Sequence, residues 1–309
     1  MQDQQQVHDV FFDQVQNVKV PRTKQEDKIV MGLLSTAEAT AFSSEDKQVV
    51  LEHCFHNLSE QARYLEEPTE FQGKRKAVGS TLSACLIQGR EVTFAYVGDS
   101  PGFLVYLDEE TGEVELEALY QPGSLHDVHN PNEKKRVEAT SASIIGEYVI
   151  ADSQVGGVQT TRAIGDHAHA PAIIDTPEVI TRSVPEDKLS GKKIAFVMLT
   201  SDGIHKDSSN PEAVKALVQK AVVQIREKHR PPLSKTQTII ASLPTFIKNF
   251  INSWFGLDSN HKSASTLSET GLLSELPKAI TGLAQKNKAE GGGQSKDDCS
   301  VVITPIKSQ

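Results

Sequence analysis

The apolar residues of this chain recur with different spacings along its length, and each spacing predicts a different element. From Glu45 to Glu66, the residues Val50, Leu51, Cys54, Phe55, Leu58, Ala62 and Leu65 lie mostly three and four apart. That period places them on one face of a helix, with Ser43 and Ser44 as candidate caps. From Ser80 the period becomes that of strands. Leu82 to Ile87 and Val92 to Val97 flank Gln88-Gly-Arg90, which predicts a hairpin. Phe103 to Leu107 and Val114 to Leu119 flank Asp108-Glu-Glu-Thr-Gly112, which predicts another. Ile173 to Ile180 is broken by Pro177, whereas Ile194 to Leu199 is continuous, as expected of a strand covered on both faces.

Asn210-Pro211 supplies a cap and a first helical residue, and Val214, Leu217, Val218, Ala221, Val222 and Ile225 mark the helix that follows. Val301 to Ile303 reads as a final strand, and Ile29 to Met31 as a strand start. Residues 7–20 fit a helix or a strand equally well, and the polar, turn-rich residues 121–135 read as loop. Hairpins, at least two helices and strands spread from end to end make an α+β pattern of sheets covered by helices. No linker divides it, so residues 1–309 read as one domain with an insertion at about 230–275. The Gly291-Gly-Gly293 tract reads as a loop within that domain.

Composition narrows the function classes. At 38% hydrophobic and 24% charged residues, the chain has the make-up of a globular protein able to bury a core. Its net charge of -9 disfavours nucleic acid and anionic membrane surfaces as partners. Cys54, Cys85 and Cys299 are odd in number and scattered, which predicts thiols in a cytoplasmic setting rather than a disulfide framework. The N-terminal residues lack a signal-peptide pattern, and no apolar run is long enough for a transmembrane segment. Dinucleotide, P-loop and serine-hydrolase motifs are absent. The paired histidines His53 and His56, His126 and His129, and His167 and His169 lack the spacing of a metal site. Ile239–Leu257 groups Phe246, Ile247, Phe250, Ile251, Trp254 and Phe255, which predicts a helix that packs on the protein or docks a protein or membrane surface.

Six short segments at the ends of these elements carry the candidate chemistry. They are Arg22-Thr-Lys-Gln-Glu26-Asp27, Gly79-Ser-Thr81, Val97-Gly-Asp99-Ser100, Thr161-Arg-Ala-Ile-Gly-Asp166, Thr200-Ser-Asp202-Gly203 and Asp297-Asp-Cys-Ser300. Carboxylates at strand ends can converge on hard cations, and two such ions about 3.5–4 Å apart can activate a water against a phosphate ester. A single Asp beside a Gly is more often a plain turn; the ordered set is what points to chemistry.

In order and spacing the set resembles the PPM-type metal-dependent phosphatases, the protein phosphatase 2C family, over about residues 15–210 and 275–306. The resemblance implies a two-sheet β-sandwich flanked by helices in α-β-β-α layers, with a late helix over Leu276 to Ala284. It implies a serine/threonine phosphatase with two Mg²⁺ or Mn²⁺ ions, a metal-activated water and phosphoprotein substrates. Asp202 and Asp297 would be metal ligands, Glu26 and Asp27 the acidic pair of the second metal, and Asp99 a further metal candidate. Arg22 would bind the substrate phosphate. Gly79-Ser-Thr81, Thr161 to Asp166 and Pro177-Glu-Val179 match structural signatures.

The departures are also specific. The family's DGHGG segment, source of a bridging Asp and a leaving-group His, corresponds to Ser35-Thr-Ala-Glu-Ala-Thr-Ala-Phe-Ser-Ser-Glu-Asp-Lys47, which contains neither an Asp-Gly pair nor a His. Glu38, Glu45 or Asp46 could restore a carboxylate. Lys206 stands where some members place a third-metal Asp, beside Asp207, and Asp298 stands in place of an Asn. A pseudophosphatase acting as a binding module is the alternative reading.

Overall fold

The computed structural model describes residues 15–16, 31–32, 43–66, 70–71, 74–75, 78–151, 156–204, 209–230, 269–290 and 299–306. Two short ribbons open the chain. β1 (Val15–Gln16) pairs with β2 (Met31–Gly32), and, after helix α1 (Ser44–Glu66), β3 (Glu70–Phe71) pairs with β4 (Lys74–Arg75). β5 (Gly79–Ser80), β6 (Leu82–Gln88), β7 (Glu91–Val97), β8 (Gly102–Asp108) and β9 (Val114–Ala118) follow in close succession. Helix α2 (Pro131–Glu138), the hairpin β10 (Ser143–Ile145) and β11 (Tyr148–Ile150), and β12 (Ile164–Gly165) come next. The remainder is β13 (Glu178–Ser183), β14 (Lys193–Thr200), α3 (Pro211–Lys228), α4 (Glu269–Glu290) and β15 (Val301–Ile306).

Two antiparallel sheets carry the core. One has the order β13-β7-β6 and the other β15-β14-β8-β9. Val92, Phe94 and Tyr96 of β7 join the buried residues of β8 and β14 in one apolar cluster, whereas Ala95 and Val97 of the same strand join Leu51 and Phe55 of α1. Successive strand residues point to opposite faces, so β7 is apolar at both parities because it is covered on both sides. β14 reads the same way, with every residue from Ile194 to Thr200 buried. Full burial of a side chain such as Phe94 contributes about 2–3 kcal/mol. On the far side of the second sheet, α3 buries Val214, Leu217, Val218, Ala221, Val222 and Ile225. α4 adds Leu272, Leu276, Ile280 and Ala284 at a spacing of four. The layers are therefore α1, sheet, sheet, and α3 with α4, the α-β-β-α order that the family resemblance implies.

Local chemistry explains the boundaries. Ser43 caps α1: its hydroxyl accepts from the Asp46 amide at 3.1 Å, and the Asp46 carboxylate accepts from the Ser43 amide at 3.0 Å. Asn210 caps α3 by accepting from the Glu212 amide at 3.1 Å, with Pro211 in the first turn. The β6–β7 hairpin closes on Gly89-Arg90, with Gly89 at φ 57°. β13 starts directly after Pro177.

Three expectations need revision. The loop expected over 121–135 contains the start of α2, capped by Asn130, which accepts from the amides of Asn132 and Glu133. β10 and β11 lie where no element was assigned. α4 starts at Glu269, ahead of the expected Leu276, and Leu272 packs in the core. The insertion expected at about 230–275 therefore overlaps α4 in its last residues. Its body, with Ile239–Leu257, lies outside the described residues.

Candidate active site

Strand register gathers the singled-out segments at one end of the sandwich. Gly102 of β8 pairs with Leu199 of β14, so the Asp99 segment precedes one strand where the Asp202 segment follows its antiparallel neighbour. Thr200 pairs with Val301, which brings the start of β15 to the same place. Leu82 pairs with Val97, so the Gly79 segment enters there, and β12 joins it through Gly165 opposite Gly79 and Ile164 opposite Ser80. Five of the six segments thus have described residues at one edge.

Long-range hydrogen bonds lock that edge. Thr81 Oγ1 and Ser100 Oγ lie 2.9 Å apart, and Ser83 Oγ donates to the Ser100 carbonyl at 2.6 Å. The Thr200 amide and hydroxyl donate to the Pro101 carbonyl at 3.1 and 3.3 Å. The Ser201 amide donates to the Ser300 carbonyl at 3.1 Å, and the Ser300 amide returns to Ser201 Oγ at 3.1 Å. Asp202 opens a short helical turn that ends at Ile204, and Cys299 Sγ donates to the Gly203 carbonyl at 2.9 Å. Asp99 and Asp202 are both half-buried.

Two glycines are required by this packing. Gly98 has φ +92°, and a Cβ there would sit 2.3 Å from Thr81 Cγ2. A Cβ on Gly79 would sit 2.1 Å from Asp166 Oδ2, so the buried Asp166 carboxylate occupies the space that a side chain would need. Asp166 itself adopts φ 53°, and its amide donates to the Val78 carbonyl at 2.9 Å.

Behind the edge sits a buried ionic clamp. Glu133 of α2, 3% exposed, accepts from Arg136 at 2.8 Å, from Arg162 at 2.6 Å and from the Thr161 hydroxyl at 2.9 Å. The guanidinium groups continue to the carbonyls of Ala172, Thr161 and Thr176. Burial pushes the Glu133 carboxyl up; the hydrogen bonds and charges of Arg162 and Arg136 overcome it and bring the pKa to about 2. Nearby, His126 is fully buried and stacked on Tyr96 with ring centroids 4.6 Å apart. Its Nδ1 accepts from the Gly98 amide at 3.2 Å, so the ring proton belongs on Nε2. Burial, above all, lowers its pKa and keeps it neutral. Neither Glu133 nor the contact of His126 with Gly98 was singled out from the sequence. The contact of His126 and the bonds from Thr161 and Arg162 to Glu133 span at least 28 residues; the local signals were the Asn130-Pro131 cap and Arg136, one helical turn from Glu133.

Of the predicted site residues, Asp99 and Asp202 come to one end of the sandwich. Arg22, Glu26, Asp27 and Asp297 lie outside the described residues, as do Glu38, Lys206, Asp207 and Asp298. Among the described residues, no group of three or more His, Cys, Asp or Glu side chains is placed to hold a metal ion. The donor chemistry nevertheless fits a hard cation. Asp99 and Asp202 offer carboxylate oxygens, and the nearby thiol of Cys299 is engaged as a donor to a carbonyl. Of the carboxylates considered as replacements for the DGHGG Asp, Asp46 is engaged in the cap of α1. Its pKa is lowered, first by the Ser43 hydroxyl and then by the Ser43 amide. Glu45 sits in the exposed first turn of the same helix.

Comparisons with known proteins agree with this geometry. The chain is 26% identical over 244 residues to "Probable protein phosphatase 2C 5" of Arabidopsis thaliana, a match covering 70% of this chain and 54% of that protein. It is 31% identical over 142 residues to "Probable protein phosphatase 2C 8" of Oryza sativa subsp. japonica, covering 45% of this chain and 30% of that protein. The chain thus matches about half the length of the Arabidopsis relative and less of the rice one. In fold it is similar to the serine-threonine phosphatase 2C from Toxoplasma gondii, with a TM-score of 0.50 at 12% identity, covering 87% of this chain and 72% of that one. The sequence profile of Protein phosphatase 2C matches residues 6–238. By that match the chain belongs to the protein phosphatase 2C family.

Proposed function

We propose that this chain hydrolyses phosphoserine and phosphothreonine esters in proteins in a metal-dependent reaction. One observation carries the reading: antiparallel register brings the described residues of five motif segments to one edge, with Asp99 and Asp202 at the ends of adjoining strands. Asp202, Asp297 and Asp99 would hold Mg²⁺ or Mn²⁺, together with Glu26 and Asp27. A bound cation pair would supply an acidified water and compensate charge on the transferred group. Arg22 would grip the phosphate through its planar guanidinium. The reaction would need no covalent phosphoenzyme. The proposed location is cytoplasmic, in keeping with three cysteines outside any disulfide. Among the described residues, no helix is long and apolar enough to cross a membrane.

A second reading, a catalytically impaired binding module, is favoured by the α1 cap. The chain lacks the bridging-Asp segment, and Asp46, a candidate replacement, accepts from both the amide and the hydroxyl of Ser43. Calorimetry with Mn²⁺ and turnover of a phosphothreonine peptide separate the two. The enzyme reading expects tight Mn²⁺ binding, turnover abolished by EDTA and restored by Mn²⁺, and no turnover by Asp202→Ala. Turnover that survives EDTA contradicts the mechanism. A folded protein with neither Mn²⁺ binding nor turnover is the binding module.

A further inference from the structure

The clearest unexplained group at the acidic end is His126. It is fully buried, yet among the described residues its Nε2 makes no hydrogen bond and faces the Glu178 carboxylate at 3.7 Å. Burying an unpaired ring N–H is unfavourable, and a phenyl ring could fill the same space against Tyr96 without it. What a phenyl ring cannot do is accept a hydrogen bond. His126 Nδ1 accepts from the Gly98 amide at 3.2 Å, while the His126 amide donates to the Gly98 carbonyl at 3.0 Å. One residue, 28 positions away in sequence, therefore satisfies both backbone groups of Gly98. Gly98 is the residue that must hold φ +92° with the Thr81 methyl filling its open side. The next residue is Asp99.

We propose that His126 is a positioning residue for the acidic end: its Nδ1 fixes the Gly98 peptide and so sets the direction from which Asp99 enters the site. Its bonds to Gly98 act on Asp99 through the backbone. The consequence for metal binding rests on the reading of Asp99 as a metal ligand; the hold on Gly98 does not. The loop that carries His126 is tied in turn to the motif around Arg162, because the Thr161 amide donates to the His126 carbonyl at 2.8 Å. The chain thus connects Arg162, His126, Gly98 and Asp99 without a side chain from the core helices.

Two substitutions separate this role from core filling. His126→Phe keeps the ring and its stacking but loses the acceptor. His126→Asn loses the ring but places an amide oxygen near the Nδ1 position. Full-length wild type and both variants are compared by hydrogen exchange of the peptide spanning 96–102, by thermal midpoint, and by Mn²⁺ calorimetry with Asp99→Ala alongside. The positioning role expects His126→Phe to stay folded, with exchange of the Gly98 region at least about tenfold faster and Mn²⁺ affinity at least about tenfold weaker. It expects His126→Asn to have a lower midpoint from the lost ring, but exchange and Mn²⁺ affinity within about threefold of wild type. The reverse ranking, with Phe indistinguishable from wild type, overturns the proposal. If wild type binds no Mn²⁺, or Asp99→Ala leaves the affinity unchanged, the metal reading of Asp99 fails, and the exchange ranking still decides whether His126 holds Gly98.

Discussion

The two ends of the sandwich are built from similar turn residues by different means. At the end where β8 meets β9, Asp108 caps its own turn. Its carboxylate accepts from the amides of Glu110 and Thr111, both at 2.8 Å, and its carbonyl accepts from Gly112 at 2.7 Å. Arg226 of α3 adds bonds to the carbonyls of Glu109 and Glu110. At the other end, Gly98, Ser100, Pro101 and Ser201 are bonded to residues 17 to 99 positions away. The Asp108 carboxylate is satisfied within its own turn, which distant groups then brace from outside: Gln219 donates to the Gly112 carbonyl at 2.7 Å, and the Glu109 amide donates to the Lys192 carbonyl at 2.8 Å. A turn whose polar groups are met by distant strands has its geometry fixed by the whole sandwich. Fixed geometry is what convergent carboxylates need.

If that contrast is right, the clamp behind the acidic end should be the most costly place to disturb. Glu133→Gln removes the charge between Arg136 and Arg162 while keeping the shape. Breaking one partner of a buried ion cluster is expected to lower unfolding free energy by about 3–5 kcal/mol. The pH dependence gives a second measure. The folded pKa of Glu133, about 2, lies below its ordinary value of 4.5, so between these values the folded state binds fewer protons than the unfolded one. The stabilisation is fully present above the ordinary value and is lost as pH falls toward 2. Its ceiling is on the order of 3 kcal/mol, and neighbouring relaxation will reduce it. Urea midpoints from pH 5 to pH 3 should fall less steeply in Glu133→Gln than in wild type. Equal slopes would show that the carboxylate titrates normally in the folded protein.

A matched pair of glycines sharpens the comparison at the next level of effect. Gly98 and Gly123 both have positive φ, at 92° and 78°. A Cβ on Gly98 meets Thr81 Cγ2 at 2.3 Å, whereas one on Gly123 meets nothing within 4 Å. Gly123→Ala should cost only the backbone strain, about 1–2 kcal/mol. Gly98→Ala adds a clash with a β-branched side chain held by Ser100, and a total nearer 3 kcal/mol is expected. Denaturant unfolding of the two variants checks this. Similar losses would mean that Thr81 gives way easily and that the edge is softer than its hydrogen bonds suggest.

How much of this was legible depended on range. The two hairpins and the run from Ile194 to Leu199 were readable because apolar periodicity and adjacent turn residues specify them locally. Asn210-Pro211 predicts a helix because an apolar stripe follows it, while the same pair at Asn130-Pro131 caps a helix without that signal. The reason is physical: α2 has eight residues and buries Glu133 and Val137, so one of its two buried side chains is a carboxylate and leaves no apolar stripe. Asp99 and Asp202 were legible as strand-end carboxylates. The role of Asp46 was written locally as well, since Ser43 with Asp46 three residues later is a capping pattern. His126 could not be read, because nothing in its neighbourhood of the sequence indicates that its partner is Gly98.

The smallest expected effect belongs to the Asp108 turn, and it tests whether the two ends are independent. The Asp108 carboxyl is held below its ordinary range, first by the amide of Thr111 and then by that of Glu110, with burial opposing. Asp108→Asn keeps an acceptor oxygen for both amides and should unfold close to wild type near neutral pH. Asp108→Ala leaves both amides to water at an exposed site and should lower the thermal midpoint by only a few degrees. The depressed pKa fixes the sign of the pH effect: the carboxylate's contribution is present above the ordinary value and fades on acidification. A protonated carboxyl keeps an acceptor oxygen, so any margin of wild type over Asp108→Asn should close as the pH is lowered, while both stay above Asp108→Ala. Because β8 separates this turn from Asp99, Mn²⁺ affinity in both variants should stay within about twofold of wild type, as independent sites require. A larger loss of affinity would mean that the ends are coupled through β8, and that the distant bonds at Gly98 and Ser100 are not sufficient to fix the acidic edge.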